Sequence, residues 1–162
     1  MKYPMTQAVR MLTEKGVAFE AHLYDYVERG GTRHSAEALG VPEHWVVKTL
    51  VMETDERKPL IVLMHGDREV STKNLARVLK VRTVKACKPE TAQKQTGYMV
   101  GGTSPFGTRH RLPVYVERSI FQLPKIYING GKRGFLVSLD PRVLRDLLPV
   151  EEVLVATSKD ES

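Results

Sequence analysis

"WVVKTLVM" (residues 45–52) and "PLIVLMH" (residues 59–65) are two apolar runs separated by the polar stretch "ETDERK". They read as paired strands joined by a turn. In the first run Val46, Lys48, Leu50 and Met52 alternate onto one face, and Val47, Thr49 and Val51 onto the other. Both faces are apolar, which predicts a strand buried on both sides. Lys48 breaks that pattern, because lysine is almost never fully buried without a partner or a purpose. Two readings stand side by side. Lys48 snorkels to the surface near the strand's start, or its ammonium points into a pocket and holds a carbonyl or phosphate oxygen.

Working outward, Thr6 to Lys15 reads as a first helix with Val9, Met11 and Leu12 at helical spacing and Gly16 as its stop. "AFEAHLYDYV" (18–27) reads as a strand, and Ser35 to Leu39 as a short helix closed by Gly40 and Pro42. "STKNLARVLK" predicts a helix capped by Ser71 or Thr72, and "VRTVKA" a strand. "KPETAQKQTG" predicts a helix with Pro89 in its first turn and Gly97 past its end. "PVYVE", "KIYIN" and "GFLVSL" are three short β segments, and Asp140 with Pro141 opens a last helix, "RVLRDLL". Strands outnumber helices without strict alternation. The expected class is α+β: a mixed, barrel-like sheet surrounded by helices.

The chain has 162 residues, 41% hydrophobic and 27% charged, which suits one domain (1–157) with a frayed tail at 158–162. No apolar run approaches a membrane span, and the N-terminus lacks the apolar core of a secretory signal, so a cytoplasmic protein is expected. Cys87 is the lone cysteine, which excludes an internal disulfide and a cysteine zinc cluster. It reads as a packed thiol with no catalytic partner. His22, His34, His44, His65 and His110 show no metal-ligand spacing, so no metal is expected. There is no nucleophile elbow and no P-loop.

The net charge of +6 favours a nucleic-acid or phosphate-bearing partner. Its distribution is local: "GGTSPFGTRHRLP" (101–113) and "INGGKRG" (128–134) put Arg109, Arg111, Lys132 and Arg133 on glycine-rich loops. Adjacent glycines let backbone N–H groups approach a ligand closely, as an oxyanion hole or anion nest requires. The competing readings are a tight surface turn for the first loop and a hairpin turn for the second. Tyr24 stands on the alternate face of its strand with His22 and Tyr26. Alone it reads as amphipathic packing.

Taken in order, "HLYDY", "VVKTLV", "TGYMVGGTSPFGTRHRLPVYVE" and "IYINGGKRG" resemble the signatures of the YbaK/EbsC family, from the first helix to about Leu148. These are stand-alone aminoacyl-tRNA editing domains related to the editing insert of bacterial prolyl-tRNA synthetase. The "GGxSPxG…RLP" form is most similar to the Cys-tRNA(Pro) deacylase branch. The resemblance implies a cofactor-free deacylase acting in trans on mischarged tRNA(Pro), with prolyl-tRNA synthetase a candidate partner. It puts the catalytic group on Lys48, Tyr24, Gly101 and Gly102. Substrate and tRNA contacts fall on Thr103, Ser104, Arg109, Arg111, Asn129, Gly130, Gly131, Lys132 and Arg133. It departs from some members at apolar Leu136 and in a basic 29–34 segment. The alternatives are a deacylase for alanyl or other small aminoacyl-tRNAs, and a non-catalytic tRNA- or nucleotide-binding module.

Overall fold

The computed structural model describes residues 2–158. In chain order the elements are α1 (Gln7–Glu14), β1 (Glu20–Leu23), α2 (Gly31–Leu39), β2 (Val46–Thr54), β3 (Pro59–His65), β4 (Arg68–Val70), α3 (Thr72–Leu79), β5 (Val84–Ala86), α4 (Pro89–Thr96), β6 (Val114–Glu117), β7 (Ile126–Lys132), β8 (Phe135–Leu139), α5 (Arg142–Leu147), β9 (Val150–Val153) and β10 (Ala156–Ser158). Single 3₁₀ turns cover Glu43–Trp45 and Arg118–Gln122. The main sheet runs β1-β8-β7-β2-β3-β6-β9, with β5 paired to the far end of β2, and β10 pairs β4 in a separate two-stranded sheet. Pairing is antiparallel except at β2/β7, β3/β6 and β6/β9. The expected mixed α+β sheet with flanking helices is present, and its path ends at β1 and β9 without closing on itself. No helix among the described residues is long and apolar enough to cross a membrane.

Caps set the helix ends, at Ser71 and Gly97 as expected from sequence and at Thr6, which is the N-cap rather than the expected first helical residue. Thr6 Oγ1 accepts from Val9 N at 3.1 Å, and Ser71 Oγ accepts from Asn74 N at 3.2 Å. Gly97 closes α4 in the left-handed conformation. β2 is the two-faced strand its pattern predicts. Val47 and Val51 pack into the main core with Leu12, Phe106, Ile128 and Phe135. Leu50 and Met52 pack into a second cluster with Val62, Met64 and Leu75.

Three differences bear on the site. The strand expected over 18–27 stops at Leu23, and the chain from Tyr24 onward becomes a loop. Trp45 belongs to a 3₁₀ turn rather than to β2. β4, β9 and β10 carry three or four residues each, too few to show a period. Ser158, expected in the frayed tail, ends β10; residues 159–162 of that tail lie outside the described residues.

Glu117 fastens this C-terminal region. Only 4% exposed, it accepts Val155 N at 2.7 Å and Ala156 N at 3.0 Å through Oε1. Glu117→Ala strands two amide donors, and we expect it to cost about 2–4 kcal/mol. Glu117→Gln keeps the acceptor and should lose clearly less. Urea unfolding reads both, and an alanine variant as stable as wild type would contradict this anchoring.

Candidate active site

The site begins as an interruption in the sheet. β2 stays paired with β3 along Val47–Glu53. On its other edge, pairing with β7 stops at Val47 and pairing with β5 starts at Met52. The bond from Gly66 N to Val46 O fixes the phase of the β2/β3 ladder. Antiparallel alternation then turns the backbone N–H and C=O of Thr49 away from β3, toward the opening. Val51 O, on the same edge, is taken by Cys87 N. Thr49 Oγ1 is itself buried without a hydrogen-bond partner.

A cavity of about 770 Å³ lies at this interruption, within the usual range of small-molecule sites. Tyr24, His34, Lys48, Glu69 and Arg133 are among its polar lining, and Leu50, Met52, Ala86 and Leu136 among its apolar lining. Lys48 lines this cavity from β2. Its side chain is 18% exposed, and its ammonium meets Glu69 Oε1 at 3.3 Å. Tyr24 enters from the loop after β1, anchored by its N–H to Gly134 O at 3.0 Å. Burial above all, then neighbouring Tyr26, pushes its phenol up, so it stays a protonated donor at neutral pH.

The two glycine-rich loops meet at the rim. Asn129 Nδ2 donates to Gly101 O at 3.2 Å, and Arg133 Nε donates to Val100 O at 2.9 Å with its guanidinium 5.1 Å from the Tyr26 ring centre. Gly101 has φ +91°, and a Cβ there would stand 2.7 Å from the Tyr26 hydroxyl, so both backbone and space demand glycine.

Of the residues singled out from sequence, Tyr24, Lys48, Gly101, Thr103, Asn129 and Arg133 line this one cavity. The others do not line it. Gly102 is corrected as an oxyanion donor: its N–H goes to Met99 O at 2.9 Å, and it packs where a Cβ would press on Arg133 N. Ser104 is fully buried, and its hydroxyl accepts from Phe106 N. Gly130 lies under the Phe135 ring and Gly131 beside Tyr98. Arg109, Arg111 and Lys132 are exposed, away from the lining.

The structure adds residues that sequence reasoning missed. Glu69 and His34 line the cavity, and no linear motif marks either. Cys87 lines it too, but burial and then the Glu53 carboxylate push its thiol up to about 11, which makes it a poor nucleophile at neutral pH. His44, His65 and Asp67 bring ligand-type atoms within 4.8 Å of one another, a grouping their spacing does not reveal. These atoms are engaged with protein partners: His44 Nδ1 with Asp67, His65 Nδ1 with His44 O and His65 Nε2 with the Ser119 hydroxyl. Burial lowers the pKa of His65, and its ring stacks on His44 with centres 3.7 Å apart.

The model of the aminoacyl-tRNA editing domain matches residues 31–147. The chain belongs to that family, whose activity is removal of amino acids from tRNA. One relative, "Putative Cys-tRNA(Pro)/Cys-tRNA(Cys) deacylase EbsC" of Enterococcus faecalis, is 29% identical over 88% of this chain and 87% of its own. A proline–tRNA ligase of Caldicellulosiruptor bescii is 30% identical over 60% of this chain but only 16% of the ligase. A solved structure described as "a putative trans-editing enzyme for prolyl tRNA synthetase" superposes with TM-score 0.82 at 20% identity, covering 96% of this chain and all of that one. It shows the same fold.

Proposed function

We propose that the chain removes cysteine wrongly attached to tRNA(Pro), acting in trans in the cytoplasm alongside prolyl-tRNA synthetase. The observation that carries this reading is Lys48: an ammonium paired with Glu69 on the wall of a largely apolar cavity that Gly101 and the half-buried Tyr24 also line. The terminal adenosine and its aminoacyl ester enter the cavity. Lys48 and Tyr24 orient the ester, and the backbone at Gly101 faces the oxygen that gains charge.

Among the described residues, the thiol on the cavity wall, Cys87, is held protonated, and the hydrogen-bonded Ser119–His65 pair lies outside the lining. The substrate supplies the nucleophile. The cysteinyl sulfur attacks its own ester carbonyl, the C–O bond to the ribose breaks, and the thiol proton passes to the departing ribose oxygen. The cyclic thioester so formed is released and opened by water. The protein contributes position and electrostatics, worth several powers of ten in rate.

Recognition of tRNA rests on the two basic glycine-rich loops, so affinity should fall steeply with added salt. We expect the Lys132→Ala/Arg133→Ala pair to weaken tRNA binding and flatten the salt slope more than the Arg109→Ala/Arg111→Ala pair, because Arg133 alone among the four lines the cavity. Filter binding across salt concentrations measures both. Unchanged slopes in both double variants would move the tRNA surface elsewhere.

A further inference from the structure

The lining of the cavity holds two carboxylates, Glu28 and Glu69. Glu28 is exposed on the loop after β1, whereas Glu69 sits half-buried against Lys48. We infer that Glu69 is the acceptor for the α-ammonium group of the aminoacyl ester, so that the cavity takes esters with a free α-amino group and rejects N-acylated ones. The inference rests on the deacylase reading and adds a substrate requirement to it.

The chemistry of the substrate asks for such a group. An α-amino group titrates near pH 8 in a peptide and lower beside an ester, so near neutral pH a substantial part of the ester arrives as a cation with its charge one carbon away from the carbonyl. A lysine that orients that carbonyl brings a second positive charge to the same place, and two cations repel unless an anion stands between them. Lys48 occupies Oε1 of Glu69. An ionised carboxylate has about four lone-pair sites, so it can accept a second charged donor without releasing the first. One carboxylate can then bridge the enzyme's ammonium and the substrate's.

Glu69 is also held in place from behind. It lies in β4, whose only strand partner among the described residues is β10, in the register Thr157↔Glu69. β10 is tied in turn by the Glu117 bonds to Val155 and Ala156. β10 itself lies beyond residue 147, where the match to the family model ends, and Glu117 lies within it. Glu69 is therefore positioned in part by a strand outside the matched span.

The test compares Cys-tRNA(Pro) with N-acetyl-Cys-tRNA(Pro), which keeps the thiol and loses the positive charge. Wild type should cleave the free-amine ester at least about 10-fold better in kcat/KM, the worth of one charge-assisted hydrogen bond. In Glu69→Gln the ratio of free-amine to acetylated turnover should fall toward one, beyond any slowing that both esters share through Lys48. If Glu69 serves only to hold Lys48, both esters slow together and their ratio stays at the wild-type value, which overturns the assignment. A binding measurement separates this from the deacylase reading itself. 3′-Amino-3′-deoxyadenosine carrying cysteine in amide linkage resists cleavage, and calorimetry should show it binding wild type more tightly than its N-acetyl form, with the difference lost in Glu69→Gln. Equal affinities of the two forms for wild type overturn the inference even where esters are turned over. Absence of turnover on every ester overturns the deacylase reading and is visible apart from the binding result.

Discussion

Lys48→Ala should lower deacylation of Cys-tRNA(Pro) by about 10²–10³-fold, the usual loss when one preorganised electrostatic group is removed from an active site. The fold should survive. The Lys48 backbone remains in the β2/β3 ladder, and its side chain contributes one ion pair to a partly exposed Glu69 rather than packing in either core cluster. Circular dichroism and the unfolding midpoint should stay near wild type while turnover collapses. Lys48→Arg should also be poor, because a planar fork on a longer stem does not reproduce a compact ammonium beside Glu69. Turnover by the alanine variant within a few-fold of wild type would remove Lys48 from the site.

The second large effect concerns sulfur. If the substrate's thiol is the nucleophile, Ser-tRNA(Pro), with oxygen in its place, should be cleaved at least about 100-fold more slowly, since a hydroxyl is a far weaker nucleophile at neutral pH. The protein's own thiol should not matter. Cys87 lies on the cavity wall with a pKa near 11, so the Cys87→Ser variant should keep its activity. Equal rates on the two esters, or an inactive but folded Cys87→Ser, would refute substrate-assisted cleavage and return the nucleophile to the chain or to water.

The central hairpin was legible because its residues report on themselves: β2 and β3 are long, apolar and bounded by a charged turn. The alternation of Val47 and Val51 against Leu50 and Met52 requires a layer on each side, and both clusters exist. Lys48 stood out for the same reason, as the charge inside an apolar pattern. The short strands β4, β9 and β10 were not legible, because a strand of three or four residues has no period and owes its place to tertiary partners such as Glu117. Glu69 was hidden for that reason too: its role depends on β4 lying across from Lys48. The glycine loops could be recognised but not apportioned. Sequence placed Gly101 and Gly102 together as backbone donors, whereas the fold gives Gly101 to the cavity and directs the N–H of Gly102 to Met99.

The most direct measurement is the loss of label from Cys-, Ala-, Ser- and Pro-tRNA(Pro), each incubated with the full chain under the same conditions. The account predicts rapid loss of cysteine, slow loss of alanine and serine, and proline left in place. Preferred release of alanine would keep the editing site but contradict the thiol mechanism. Survival of all four esters would contradict the central claim and leave a module that binds tRNA without cleaving it.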